Sequence, residues 1–301
     1  MTDTFHLLRT RLHGLAARYA TPTVADVLPR PDPDVVRLTH AIAGPICDVY
    51  FRSEVRRMDL VPQAQTMLVG HHDGGLLPVD AVCFGVSWYR RFGPARPLRG
   101  LMHEFPFHVT DQLARWLHGI GVVSAAPENL EKLFDEGFDV LLYPGAAREA
   151  FRPYLQRRDV DLGGRKGFVA RALRRGLTVT PIVSAGAHET FFVLHRGTGI
   201  AKWTGIYKHL RADVWPVAAG LPWGLWMGPN VPYLPLPSKI TVEVLPPIDL
   251  RSALSARFCR SINGSDSVDA GVVQAGYEIV RDAMRAGVNR LYDERRFPVL
   301  G

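Results

Sequence analysis

The chain is 301 residues long, and 47% of its residues are hydrophobic and 22% are charged. A chain of this length and composition can bury the core of one large domain, which excludes a disordered or fibrous protein. The formal net charge is +7 at pH 7, and none of the three cysteines belongs to a Cys-x-x-Cys pair. The sequence therefore favours neither a disulfide framework nor a zinc ribbon.

An amphipathic helix near the N-terminus is the first predicted element. Apolar side chains recur there at spacings of three and four residues, the period of one helix face, at Phe5, Leu8, Leu12, Leu15 and Tyr19. Such a helix, with arginines on its other faces, lies either in a lipid interface or against the protein's own core. The same segment lacks the apolar core and cleavage pattern of a secretory signal, so we expect a cytoplasmic chain.

Strands and helices then alternate along the chain. Apolar runs predict strands at 51–57, 66–70, 98–103, 121–124, 139–143, 178–184 and 239–245. Helical spacing predicts helices at 79–91, 109–118, 127–136, 166–175 and 269–294. We expect an α/β fold with a mostly parallel central sheet flanked by helices. Residues 1–40 should form an N-terminal amphipathic, membrane-proximal helical segment, residues 41–260 the α/β domain, and residues 261–301 a C-terminal helix packed on that domain.

Residues 214–238 carry no charged side chain. This stretch is long enough to span a bilayer, but its six prolines exclude a spanning helix, because lipid offers no partner for the backbone groups that they leave unpaired. Its tryptophans, Trp215, Trp223 and Trp226, are typical of a membrane-interface surface or an apolar groove. Internal packing is the alternative.

Positive charge concentrates between Arg148 and Arg175, where nine basic residues stand against three acidic ones. A field of this sign attracts a phosphorylated substrate, an acidic membrane surface or a nucleic acid. A solvated surface is the alternative interpretation.

The run from His71 to Gly75 follows a predicted buried strand, and in open α/β sheets ligands bind at the carboxyl ends of the strands. A histidine there can take a proton from an alcohol when a carboxylate orients its ring. Asp80, eight residues beyond His72 in the next predicted helix, is the best candidate for that carboxylate, whereas the side chain of Asp73 should diverge from its neighbour's. The N–H groups of the two glycines could face a developing oxyanion. An ordinary turn is the alternative.

Four blocks of the chain, within residues 51–250, resemble in order those of the glycerolipid (lysophospholipid) acyltransferase superfamily. Residues 70–80 resemble its Asn-His block with a downstream Asp, and Tyr143-Pro144-Gly145-Ala146-Ala147-Arg148-Glu149 resembles its Phe-Pro-Glu-Gly-Thr-Arg-Ser block. Residues 165–168 resemble the helix start that follows, and residues 179–183 resemble its Val-Pro-Val strand. The second block and the Gly-Ala-His-Glu-Thr-Phe sequence after the last strand look closest to the diacylglycerol-acyltransferase-like branch and its bacterial relatives.

The chain departs from the superfamily pattern in four respects. Seven residues separate His72 from Asp80 where the common motif has four, and His71 replaces Asn. Gly145 stands where many members have Glu. Residues 124–126 are Ser-Ala-Ala where phosphate-binding members carry an arginine.

The resemblance implies an O-acyltransferase of glycerolipid or phospholipid biosynthesis that moves a fatty acyl group from acyl-CoA or acyl-ACP to a lipid hydroxyl by His/Asp general-base catalysis. It makes His72 and Asp80 catalytic, and it assigns substrate binding to His71, Asp73, Gly74, Gly75, Tyr143, Gly145, Ala146, Arg148 and Glu149. Arg148 is expected to bind phosphate, because its planar fork suits that group. We expect no metal, no nucleic-acid partner and no cofactor besides the acyl-CoA or acyl-ACP co-substrate. We also expect a peripheral position on the cytoplasmic face of an anionic membrane.

Other classes remain open from the residues alone. A thioesterase could use the same dyad to activate water, and a non-catalytic module could bind lipid. A metal hydrolase would have to use His71, His72, Asp73 and His103, whose spacing is unlike that of helix-borne zinc ligands. A nucleic-acid binder lacks support, because the basic run contains no recognised reading motif.

Overall fold

The computed structural model describes residues 28–75, 77–203, 214–228, 233–255 and 268–301. The strands in these residues are β1 (Glu54–Arg56), β2 (Thr66–Val69), β3 (Leu98–Met102), β4 (Val122–Ser124), β5 (Asp139–Leu142), β6 (Thr178–Ala185), β7 (Phe192–His195), β8 (Val217–Gly220), β9 (Gly224–Met227) and β10 (Thr241–Val244). Seven of these strands form the central sheet in the order β1-β10-β6-β2-β5-β3-β4. Only the β10–β6 pair among them is antiparallel, so the predicted mostly parallel sheet is confirmed.

Helices cover both faces of this sheet, also as predicted. In the described residues they are α1 (Pro33–Pro45), α2 (Val79–Phe92), α3 (Asp111–Gly119), α4 (Pro127–Asp135), α5 (Ala146–Ala150), α6 (Gly167–Arg175), α7 (Thr198–Trp203) and α8 (Ala270–Glu294), with a further helical stretch at 250–255. Successive strand residues point to opposite faces. Accordingly, Met67 of β2 packs in the core under α6 and α8, whereas Leu68 packs in the core under α2.

Helix α1 was not predicted from the apolar pattern, although its start carries a clear signal. Asp32 accepts hydrogen bonds from the N–H groups of Asp34 (2.8 Å) and Val35 (3.4 Å), which satisfies two unpaired donors of the first turn. Pro33 occupies the first helical position, where a missing N–H costs nothing. Residues Ile46–Tyr50 continue the chain as a short π-helix.

A second, antiparallel sheet of β7, β8 and β9 lies beside the first and takes up much of the uncharged segment. Its inner face packs Phe191, Trp226 and Tyr233 into a small apolar core. Trp226 is therefore internal, whereas Trp223 is exposed. The prolines do not prevent this arrangement, because they lie between or beside the short strands.

Among the described residues, no helix has both the length and the apolar character needed to cross a bilayer. The predicted amphipathic helix within residues 1–20 lies outside the described residues. Helix α8 packs against β6 and α6. The division at residues 40 and 260 stays a prediction.

Candidate active site

The candidate site lies where β2 and β5 end side by side. Both strands are parallel, so their carboxyl ends meet at one edge of the sheet, and the N–H of Gly70 donates to the carbonyl of Leu142 at 2.9 Å. A Cβ on Gly70 would lie 2.5 Å from the Tyr143 ring. Glycine is required here because the tyrosine packs directly on the backbone, and the predicted His71 and Tyr143 blocks are thereby brought together.

Asp73 is the centre of a fully buried ionic network. Its Oδ1 lies 2.8 Å from Arg152 Nη2, 3.0 Å from His188 Nε2 and 3.2 Å from His71 Nδ1, and its Oδ2 accepts from the Ser184 hydroxyl at 2.9 Å. Burial alone would raise the pKa of Asp73, but the two histidines hold it well below its usual range. The side chain is therefore an ionised anchor beneath the loop and does not face solvent.

Arg152 and Glu149 extend this network and tie three segments together. The guanidinium of Arg152 donates to Asp73, to Glu149 Oε1 (3.3 Å) and to the carbonyl of His72 (3.4 Å). Glu149 accepts the N–H of His72 at Oε2 and the N–H of Asp161 at Oε1, each at 3.0 Å. Burial raises the pKa of Glu149 to about 7, although Arg152 opposes the shift. Both side chains are completely buried, so they hold the loop from beneath.

The Glu149 carboxylate also explains why position 145 is a glycine. A Cβ on Gly145 would collide with the Glu149 carboxylate and would lie 2.5 Å from the carbonyl of Asp161. Glu149 thus occupies the space that a side chain at position 145 would need. Ala146, which follows, has a positive φ of 46°, a strained conformation for a residue with a Cβ.

The adjacent histidines His71 and His72 have opposite environments. His71 is buried, and its Nε2 accepts the N–H of Ser184 at 3.0 Å, so the lone pair on that nitrogen is already used. His72 is half-buried, and its ring packs on Tyr143 with centroids 4.7 Å apart. Its Nδ1 is buried without a hydrogen-bond partner, and its Nε2 makes no hydrogen bond to the described residues. Burial lowers the pKa of His72 to about 4, so the ring is neutral at pH 7 and can accept a proton.

Asp80 belongs to the buried network rather than to the His72 ring. Its Oδ2 lies 3.1 Å from the Ser184 hydroxyl, and no hydrogen bond or ion pair joins it to His72 within the described chain. The direct contact expected from the sequence is not formed, because the first turn of α2 aims this carboxylate at β6. One hydroxyl proton cannot serve two carboxylates, so when Ser184 donates to Asp73, a protonated Asp80 must donate to Ser184. Burial and the charge of Asp73 raise the pKa of Asp80 to about 7, which agrees with this arrangement.

The glycines of the loop are required for close packing. Gly74 and Gly75 have φ values of 73° and 92°, and a Cβ on Gly75 would lie 2.7 Å from Phe191 and 2.8 Å from the Tyr233 hydroxyl. The N–H of Gly75 donates to the carbonyl of Ala150 at 2.9 Å. That N–H therefore does not face a substrate oxyanion, contrary to the expectation from the sequence.

The basic run does not form one continuous field. Arg152 is buried, Arg171 and Arg175 pair with Glu131 at 2.8 and 2.6 Å, and Arg148 is half-exposed with its Nε 3.2 Å from Asp161. Only part of the charge counted in the sequence is therefore available to an anionic partner.

Arg152, His188 and Ser184 were not predicted as site residues. Arg152 was counted only as one of the basic residues between Arg148 and Arg175, and His188 only as part of a sequence block. A hydroxyl in the otherwise apolar, fully buried end of β6 was the available signal for Ser184, because a buried polar group needs a partner. Within the described residues there is no group of three or more His, Cys, Asp or Glu side chains that could hold a metal ion, so His71, His72, Asp73 and His103 form no such group.

A family model for diacylglycerol acyltransferase matches residues 38–256, which include all the site residues above. The chain belongs to the diacylglycerol acyltransferase family. This match confirms the branch to which the sequence blocks pointed.

The chain is similar to diacylglycerol O-acyltransferase 1 of Eremothecium gossypii, with 28% identity over 45% of this chain and 31% of the relative. It is similar to human diacylglycerol O-acyltransferase 2, with 25% identity over 47% of this chain and 38% of the relative. An uncharacterised Mycobacterium tuberculosis protein is 26% identical over 69% of this chain and 56% of its own length. The chain thus spans less than two thirds of the length of each of these relatives.

The fold resembles a solved structure, the 1-acyl-sn-glycerophosphate acyltransferase PlsC of Thermotoga maritima. The TM-score is 0.50 at 14% identity, and the match covers 87% of this chain and 81% of the other. At this identity the likeness shows the fold, which agrees with the predicted acyltransferase-like α/β domain.

Proposed function

We propose that this protein is an O-acyltransferase that moves a fatty acyl group from an acyl thioester to a hydroxyl of a glycerolipid or related lipid. The observation that carries the proposal is the placement of His72. Its ring lies at the ligand-binding edge of the sheet inside the family-matched region, and its Nε2 makes no hydrogen bond to the described residues. The names of the fungal and human relatives support the same class of reaction.

In the proposed reaction His72 accepts the proton of the acceptor hydroxyl as its oxygen attacks the thioester carbonyl. The tetrahedral intermediate then collapses, the carbon–sulfur bond breaks, and the leaving thiolate takes the proton back from His72. The products are an ester and a free thiol, and no acyl-enzyme is required. A neutral ring suits this role, because a protonated one could not accept the proton.

The buried network acts as support for this base. Glu149 fixes the backbone N–H of His72, Arg152 fixes its carbonyl, and Tyr143 packs on the ring. Asp80 reaches the loop through Ser184 and Asp73, so we assign it a positioning role. This arrangement restricts the motion of the catalytic nitrogen, which is how a rigid site lowers a reaction barrier.

We further propose a peripheral position on the cytoplasmic face of a membrane, and the outer face of the small sheet supports the peripheral attachment. Leu225 and Met227 lie two residues apart on β9, so they share a face opposite Trp226, and both are more than half exposed. Leu194 on β7 is also exposed. Exposed apolar side chains grouped on one face are typical of a lipid-contact surface. The sequence pattern made Trp226 a candidate for membrane contact, but its side chain is internal and does not contribute to this exposed face.

Product analysis would test the proposed reaction. Purified protein is incubated with a mixed acyl-CoA and acyl-ACP pool and a panel of lyso- and neutral lipids, and the products are identified by mass spectrometry. We expect a new acyl ester that His72→Ala does not form. Free fatty acid without ester would indicate a thioesterase, and lipid binding without either product would indicate a non-catalytic lipid-binding module.

A further inference from the structure

A second polar site lies next to the catalytic loop, in an open cleft of about 400 Å³. Its walls are the segment before α6, the residue after β7 and one face of α8. The α8 wall carries Tyr277, Arg281 and Arg285, which are spaced four residues apart and therefore project from the same helix face. A cavity of this volume is in the range that binds small ligands.

Positive charge is in excess in this cleft. Asp161 Oδ2 lies 3.2 Å from Arg148 and 3.6 Å from Arg196, so one carboxylate serves two guanidinium groups. Asp159 lies 3.9 Å from Arg285. The described lining residues therefore carry more arginines than carboxylates.

Arg281 has an ion-pair partner that lies outside the cleft lining. Its guanidinium is 2.8 Å from Asp282, the next residue on the helix, which is largely exposed. Asp282 therefore compensates the charge of Arg281 from outside the walls, and the excess positive charge at the cleft comes from Arg148 and Arg196, which share one carboxylate.

Arg196 gives an independent indication that the cleft can bind an anion. Its side chain is four-fifths buried, and its Nε is buried without a hydrogen-bond partner. Burial lowers the pKa of this guanidinium, and the nearby charges of Arg148 and Arg152 add to that shift against the pull of Asp161. A guanidinium keeps its charge under such conditions, so the exposed fifth of this side chain can meet an acceptor oxygen that enters the cleft.

The cleft is linked to the candidate base through one side chain. The N–H of Asp161, a cleft residue, donates to Glu149 Oε1, and Glu149 Oε2 accepts the N–H of His72. A ligand group anchored in the cleft is thus separated from the catalytic loop by a single buried carboxylate. Anchoring a non-reacting part of a substrate at such a site orients the reacting part.

We infer that the cleft formed by Arg196, Arg281 and Arg285 binds a phosphate or diphosphate group of one of the two substrates. The inference rests on the proposed function only for identifying the ligand as a substrate. The same chemistry is present in the phosphates of an acyl carrier and in the headgroup of a phospholipid acceptor. Guanidinium groups suit both, because their paired N–H donors match two phosphate oxygens.

Calorimetric titration of the full chain would test the inference without turnover. The probes are pyrophosphate, coenzyme A and pantetheine, and the lipid arm uses vesicles of phosphatidylcholine with and without phosphatidic acid. The variants are Arg281→Gln, Arg285→Gln and both together. The matched double control is Arg37→Gln with Arg174→Gln, which removes the same charge from two exposed arginines outside the cleft.

We expect each cleft substitution to weaken pyrophosphate binding about fivefold to tenfold, as for the loss of a charge-assisted hydrogen bond on a partly exposed site. Parallel loss of coenzyme A binding, with pantetheine unaffected, would assign the phosphate to the carrier. Parallel loss of the preference for phosphatidic acid would assign it to the lipid. Unchanged binding of all probes in the double variant, equal losses in the control, or no binding by the unaltered protein would each overturn the inference. Absence of acyl transfer in the product assay would leave these binding results unaffected.

Discussion

Arg152 and the arginines of the cleft both connect to the loop of the candidate base, and they differ in burial and in ion-pair partners. Arg152 is completely buried, and Asp73 and Glu149 neutralise it with short contacts. The arginines of the cleft are partly exposed and have too few carboxylate partners among the lining residues. Arg152 can shape the loop but cannot reach a ligand. The arginines of the cleft can bind a ligand and contribute little to stability. The position of an arginine in the sequence does not distinguish these roles, but its burial and partners do.

The largest expected effect on stability is that of losing Arg152. Arg152→Met should destabilise the protein by about 3–5 kcal/mol, because it removes the guanidinium that pairs with the buried carboxyl groups of Asp73 and Glu149. Arg148→Met, which breaks a half-exposed pair, should cost under about 1 kcal/mol. Urea denaturation followed by circular dichroism would measure both. Equal losses for the two variants would contradict the distinction between the buried and open groups.

Asp80 should make stability depend on pH. Its pKa is raised from 3.8 to about 7 in the folded protein, so between these values the folded state holds a proton that the unfolded state has released. The Asp80 contribution to stability is therefore fully present below pH 4 and is lost as pH rises to about 7. Asp80→Asn should stabilise the protein relative to wild type more at pH 8 than at pH 4, as measured by thermal unfolding at both pH values. A stability difference that does not change with pH would show that Asp80 is already ionised in the folded state.

Membrane attachment should depend on the outer face of the small sheet. Leu225→Ser and Met227→Ser should each weaken partitioning into anionic vesicles about fivefold to tenfold, as expected for one apolar side chain leaving the lipid. Leu300→Ser, at an equally exposed apolar side chain near the C-terminus, is the control and should have no effect. Sedimentation at low and high salt separates the apolar contribution to vesicle binding from the electrostatic contribution of the basic residues, because only the latter is screened by salt. Equal effects of all three substitutions would remove the sheet as a docking face.

The smallest effect is expected at Arg148, which shares Asp161 with Arg196 at the edge of the cleft. Arg148→Ala should raise the KM of the phosphate-bearing substrate about threefold to tenfold, as for a single partly exposed charge-assisted contact. Arg148→Lys should restore it only in part, because lysine keeps the charge but not the planar fork. Steady-state kinetics with each substrate varied in turn would show this. An unchanged KM for both substrates would exclude Arg148 from substrate binding.

The elements that carry the site could be predicted from the sequence because they follow strong local patterns. The strand at 66–70 and the helix at 79–91 each differ from β2 and α2 by a single terminal residue. Strands that are buried on both faces of the sheet appear in the sequence as continuous apolar runs, a pattern typical of parallel sheets. By contrast, β7 to β9 are short strands among prolines and glycines, and their pairing is not visible in any local period.

The side-chain partners within the site could not be predicted, because they depend on register across the sheet. Ser184 meets His71, Asp73 and Asp80 only because β6 lies beside β2 in one alignment. Spacing in the sequence therefore suggested an Asp80 contact to His72 that the fold directs elsewhere. The same limitation applied to Arg152, whose burial depends on the loop after β2 folding over it.

The most direct test of the central claim is a single-turnover measurement of acyl transfer by wild type and His72→Ala. We expect the alanine variant to transfer acyl groups about 10²-fold to 10⁴-fold more slowly, because this is the usual contribution of a general base. Its thermal unfolding should stay close to that of wild type, since the ring makes no hydrogen bond to the described residues. Added imidazole should restore part of the rate. A folded His72→Ala variant with the wild-type rate would contradict the claim that His72 is the catalytic base.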